Sequence, residues 1–162
     1  MDLFLLRHGI AEDPKPGGSD LARALTSEGR SKLREVLGVA RRANVEPTLI
    51  ISSPLKRAIE TAEIASKTLG YEGEILRSDA LQPDSNPEDV WHEIRGHRTE
   101  ASLLLAGHQP LFSLLTAYLL GAPSARVDFK KAGLLKLTVD SFPPHPRAIL
   151  DWYLIPKLAA GR

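Results

Sequence analysis

The stretch "FLLRHGIAE", residues 4–12, ends an apolar run on an arginine, a histidine and a glycine. The run itself, residues 3–6, shows no alternation of polar and apolar positions. The strand it forms is therefore buried on both faces, as in a parallel sheet covered by helices. Residues 49–51 and 103–106 have the same character, and a helical pattern follows each run. Such alternation implies right-handed crossovers and a mainly parallel sheet. Thr26 can cap the first helix, which sets Leu33, Val36, Leu37 and Ala40 on one face. Ser53 and Pro54 read as N-cap and first residue of the second helix, whose stripe of Leu55, Ala58, Ile59, Ala62 and Leu69 stops at Gly70. "EILRSDAL" predicts a further strand, "NPEDVWHEIRGH" a helix opened by Asn86 and Pro87, and "QPLFSLLTAYLLG" an apolar helix ending at Gly121. The tail differs: "LLKLTV" and "AILDWYL" flank the loop "DSFPPHPR" and predict an antiparallel strand pair at one side of the sheet. The expectation is an α/β fold with a mainly parallel central sheet and an antiparallel edge.

Of the 162 residues 43% are hydrophobic, and no repeat, low-complexity tract or linker divides them, so one domain spanning 1–162 is expected. Lys+Arg at 21 against Asp+Glu at 20 leave a net charge of +1, too balanced for the wide basic face that nucleic acid requires. Any anion site must be local. With no cysteine in the chain, disulfides, a thiolate nucleophile and cysteine-ligated metal centres are excluded. No run is long enough to span a bilayer and the N-terminus has no signal-peptide pattern, so a cytoplasmic protein without membrane contact is expected.

In parallel α/β sheets ligands bind at the carboxyl ends of the strands. The first strand delivers Arg7 and His8 there, the second Ser53 and then Arg57, and the third Gly107 and His108. Two arginines and two histidines on one edge repel one another unless an anion lies between them, and the start of the second helix adds partial positive charge. Phosphate fits, because the planar guanidinium fork matches its oxygens. Gly9 and Gly107 are expected as tight turns that let the backbone approach the ligand. His8 is then more than a binding group: a neutral imidazole is a competent nucleophile toward phosphorus, with arginines to hold the phosphoryl group in line.

In this order and spacing "LLRHG", "SSPLKRAIETA" and "LLLAGH" resemble the histidine phosphatase superfamily, also called phosphoglycerate mutase-like. "LTSEG", "GHQPLFSLL" and "FKKAGLLKL" extend the resemblance nearly end to end and bring it nearest the SixA-type phosphohistidine phosphatases. The resemblance implies a three-layer α/β/α sandwich, His8 as nucleophile, and Arg7, Arg57 and His108 as phosphate ligands, with no metal and no cofactor. The general acid is open. SixA-type chains carry an aspartate in the first loop, where "SDLARALT" places Asp20; Glu12 and Asp13 are nearby alternatives. Larger members use a glutamate after a later strand, where this chain offers only Asp84.

Plainer readings stand beside these. Arg57 could pair with Glu60 three residues on. His92 and His97, five apart, do not share a helix face for metal binding, and His145 sits in a proline loop, so no metal site is expected. Arg41 and Arg42 read as a solvated helix end, Trp91 and Trp152 as packing residues, and "FKKAG" as solvated lysines or a contact for an acidic partner. The expected function is hydrolysis of phosphohistidine on a partner protein, such as a histidine phosphotransfer domain. The alternatives are a small-molecule phosphomonoesterase and a non-catalytic phosphate-binding module.

Overall fold

A computed structural model describes residues 1–161; Arg162, the end of the expected domain, lies outside the described residues. Six strands form one sheet: β1 (Asp2–Arg7), β2 (Leu49–Ser52), β3 (Ile75–Arg77), β4 (Ser102–Gly107), β5 (Leu134–Thr138) and β6 (Ile149–Leu154), in the order β3-β2-β4-β1-β5-β6. The first four are parallel, and β5 runs antiparallel to both β1 and β6. The three apolar runs of the sequence lie side by side at the centre.

Alternate side chains of these strands feed two cores. Leu3, Leu5, Ile51, Leu103 and Leu105 pack with Val90, Trp91 and Ile94 of α3 (Pro87–Gly96) and with Phe112 and Leu115 of α4 (Leu111–Leu119). Phe4, Leu6, Ile50 and Leu104 pack on the other face with Leu33, Val36 and Leu37 of α1 (Ser27–Arg42) and Ala62 and Ala65 of α2 (Lys56–Leu69). A strand whose odd and even residues both meet helices cannot alternate in polarity, which is why the runs read as they do. The result is the expected α/β/α sandwich, with a short α5 (Pro156–Ala159) packed on α1.

Local chemistry sets most element ends. The Thr26 hydroxyl accepts from the Gly29 N–H at 3.0 Å and the Asn86 side chain from the Asp89 N–H at 3.0 Å, each satisfying a free donor of a first helical turn. Gly70, with φ 73°, ends α2 in the left-handed conformation that glycine adopts without penalty. The start of α2 corrects the sequence reading. The helix begins at Lys56 after Leu55, and Ser53 is not its cap. Ser53 instead extends the line of β2, donating its N–H to the Ala106 carbonyl at 2.9 Å, and its hydroxyl is committed elsewhere. Trp91 stacks on Phe142, and Trp152 packs against Phe4.

Candidate active site

β2, β4 and β1 are adjacent and in register, with Ser52 opposite Ala106 and Arg7 opposite Gly107. The ladder continues one step beyond the strands, where the His8 N–H donates to the Gly107 carbonyl at 2.9 Å. His8, Ser53 and His108 therefore emerge together at the carboxyl edge. The two imidazole rings lie 5.1 Å apart between centroids. Arg57, on the first turn of α2, reaches back so that its Nε donates to His8 Nε2 at 3.4 Å. Arg7 is fixed by an Nη1 hydrogen bond to the Phe129 carbonyl at 2.5 Å. His8, Arg57 and His108 are only 5%, 5% and 1% exposed, so their chemistry runs in a largely water-excluded setting.

The hydrogen bonds assign the proton on His8. Its Nδ1 lies 2.7 Å from the Gly9 carbonyl, which can only accept, so Nδ1 carries the hydrogen and Nε2 keeps its lone pair. Burial lowers the His8 pKa to about 4, with the Gly9 bond opposing and Arg57, Arg7 and Lys131 reinforcing. Burial likewise pushes His108 down to about 2, helped by His8, Arg57 and Arg7. Both rings are neutral at pH 7. His108 Nε2 is paired with the Ser53 hydroxyl at 2.7 Å, while its buried Nδ1, like Arg7 Nε, has no hydrogen-bond partner among the described residues. Burial also lowers the pKa of both guanidinium groups, Asp20 partly offsetting this at Arg57. Such concentrated, underpaired donors suit an anion.

The four residues expected to share one edge thus come together, and Asp20 joins them. It lies on a 3₁₀ turn, Asp20–Ala22, with its carbonyl accepting from Arg57 Nη1 at 3.0 Å and its carboxylate from Nη2 at 3.3 Å. Glu12 and Asp13 are exposed in the same loop, lining a cavity of about 140 Å³ with Lys15 and Arg23. Asp84 is exposed beyond β3 and makes no hydrogen bond or ion pair to the four among the described residues. Glu60 pairs with Arg30 and accepts from the Leu25 N–H, so the alternative Arg57–Glu60 pair does not form. His92 and His145 are exposed, and His97 faces Glu93 at 3.6 Å on α3.

Two residues escaped the sequence reading, and Ser53, expected at this edge, has another role than helix cap. Arg23 sits 3.5 Å from the Asp20 carboxylate, and its charge helps lower the pKa of His108 and Arg57. The i, i+3 spacing of "DLAR" was its signal. Thr61 accepts from the Gly9 N–H at 3.3 Å and donates to the Arg57 carbonyl at 2.7 Å, tying α2 to the backbone beside His8. Ser53 holds His108. The two glycines need a different account from the expected one, since neither has a left-handed φ and neither leaves space for a ligand. A Cβ on Gly9 would come within 2.8 Å of Leu33 and 3.0 Å of the Gly29 carbonyl, and one on Gly107 within 2.7 Å of the Phe112 ring. They permit close packing of α1 and α4 under the site.

The family profile of the histidine phosphatase superfamily (branch 1) matches residues 3–82. An uncharacterized protein of Picosynechococcus sp. is 32% identical over 139 residues, covering 85% of this chain and 84% of its own. Among solved structures, the protein histidine phosphatase SixA complexed with tungstate superposes with a TM-score of 0.88 at 25% identity, covering 98% of this chain and 99% of its own. A mycobacterial glucosyl-3-phosphoglycerate phosphatase shares the fold at a TM-score of 0.69 and 18% identity, over 93% and 96% of the two chains. The chain belongs to the histidine phosphatase superfamily, branch 1, and is a phosphatase of the SixA type.

Proposed function

We propose that the protein hydrolyses phosphohistidine on a partner protein through a covalent phosphohistidine on its own His8. The observation that carries this reading is the His8 ring itself. Its Nδ1–H is tied to the Gly9 carbonyl, and its Nε2 lone pair faces Arg57 beside His108. In the first step Nε2 attacks phosphorus, the P–N bond of the substrate breaks, and the leaving imidazole takes up a proton. The Arg7 and Arg57 guanidinium groups neutralise charge on the equatorial oxygens, as arginines do in other phosphoryl transfers, and neutral His108 adds a hydrogen bond from its unpartnered Nδ1. In the second step water attacks the same phosphorus, the P–N bond to His8 breaks, the water's proton passes to Asp20 and restores the donor, and His8 is released with inorganic phosphate. Asp20, at the lip of the site against Arg57, is assigned as the proton donor to the leaving group.

Tungstate is a tetrahedral oxyanion like phosphate, and its presence in the similar SixA structure supports an oxyanion site. A protein substrate is supported by the short connections at two of the three strand ends, residues 53–55 between β2 and α2 and 108–110 between β4 and α4; residues 8–26 between β1 and α1 are the long segment beside the site. The test offers a phosphorylated histidine phosphotransfer domain and a panel of phosphate esters to the enzyme. The proposal predicts that kcat/KM for the domain exceeds that for any ester by at least an order of magnitude. Preference for a sugar phosphate or similar ester would make the protein a small-molecule phosphomonoesterase.

A further inference from the structure

Beside the site lies a cleft of about 610 Å³ that the chemistry above does not use. It opens where α5 packs on α1, and the turn over residues 128–133 forms a further wall. Lys32, Lys130, Lys131 and Lys157 line it, together with Arg7, which it shares with the site; Asp128 is its one carboxylate. With 21 basic and 20 acidic side chains in the whole chain, five against one in a single cleft is a local concentration of charge. Asp128 matches Lys130 at 2.6 Å and Glu28 matches Lys32 at 3.0 Å, whereas Lys131 and Lys157 have no ion-pair partner among the described residues.

The chemistry of the cleft selects its occupant. It is far larger than one phosphate, and its outer cations are lysines, point charges without the fork that grips a single oxyanion. Ile155 and Pro156 also line it, so apolar side chains find contacts too. The walls are held in the free protein. The Tyr153 hydroxyl accepts from the Lys130 N–H at 2.6 Å and donates to the Asp128 carbonyl at 3.1 Å, and Gly133 packs so closely that a Cβ would come within 2.9 Å of the Tyr153 ring.

We propose that this cleft docks an acidic, partly apolar segment of the phosphoprotein whose phosphohistidine enters the site, an inference that rests on the phosphohistidine reading above. Spread lysines raise the encounter rate and fix orientation more than they hold a single group, so the effect falls on kcat/KM and is screened by salt. Lys131 is unsuitable for the test because its charge reaches His8. The variant is Lys32→Glu/Lys157→Glu, assayed on a phosphorylated histidine phosphotransfer domain and on phosphoramidate. Binding of a fluorescein-labelled peptide of alternating Glu and Leu is measured in parallel by anisotropy. The expected result is a loss of about tenfold in kcat/KM for the domain with kcat kept, phosphoramidate turnover unchanged, and peptide binding lost. Equal losses on both substrates, no loss on the domain, or undiminished peptide binding would each overturn the proposal. If the wild type hydrolyses phosphoramidate but leaves the domain untouched, the phosphohistidine-protein reading has failed, and the peptide arm alone decides for or against the cleft.

Discussion

His8 needs its lone pair to attack, and burial with two neighbouring guanidinium groups keeps that lone pair unprotonated by holding the ring's pKa near 4. Protonation inactivates the nucleophile. The acid limb of kcat/KM, after the substrate's own ionisation is divided out, is therefore expected near pH 4 and not near the ordinary histidine value of about 6.5. A midpoint at 6.5 would mean that His8 is solvated as an ordinary imidazole. Asp20 is tested by leaving-group dependence. As proton donor, Asp20→Asn slows hydrolysis of an alkyl phosphate by roughly a hundredfold or more, because an alkoxide leaves poorly, and slows phosphohistidine hydrolysis far less. Equal losses on both substrates would assign Asp20 to holding Arg57, which it contacts through both carbonyl and carboxylate.

Among the elements, α1 is the one whose position governs the site without contributing a reacting group. Gly29 on its first turn lies so close to the loop after His8 that a Cβ would stand 2.2 Å from the Ile10 carbonyl oxygen, and Leu33 one turn on packs against Gly9. No side-chain rotation relieves a contact with backbone. Gly29→Ala is expected to cost about 1–3 kcal/mol, as overpacking does, and to lower kcat with it, measured by denaturant unfolding and turnover on one preparation. Full stability and activity would show that α1 can shift freely. The elements also show what was legible. Thr26, Asn86 with Pro87, and Gly70 could be read from sequence because capping is a contact between residues three or four apart. Ser53 carried the same local signal, but its hydroxyl takes a tertiary partner, His108, 55 residues away. Gly9 and Gly107 were identifiable as special positions, yet the reason lies in Leu33 and Phe112, which only the folded chain brings there.

For the whole molecule, burying two neutral histidines links the fold to pH. Their folded pKa values lie below the unfolded value of about 6.5, so the unfolded chain binds protons first as pH falls. The stability they allow is full above pH 6.5 and declines toward pH 4. His108→Gln is expected to flatten that decline in urea titrations at pH 7, 5 and 4; an unchanged slope would show that His108 is not held neutral. The sheet was legible at this scale because strands buried on both faces leave continuous apolar runs, and the row of Arg7, His8 and His108 followed from strand ends alone. Thr61 was not, since its role depends on α2 meeting the backbone after β1, and the i, i+3 spacing of Arg23 and Asp20 did not show that the fold sets Arg23 near Arg57 and His108. Of the basic cleft, Lys130 and Lys131 of "FKKAG" were legible as a contact for an acidic partner, whereas Lys32 and Lys157 join them only because the fold packs α1 and α5 beside that turn.

Turnover by this route passes through a covalent bond between phosphorus and His8. Rapid quenching under alkaline, acid-free conditions after mixing enzyme with a phosphohistidine protein, followed by peptide mass spectrometry, reads it directly. A phosphorylated peptide carrying the modification on His8 is expected, formed within the first turnover and absent from His8→Ala, which stays folded and inactive. A phosphoryl group trapped on His108, or steady turnover by His8→Ala at the wild-type rate, would contradict it.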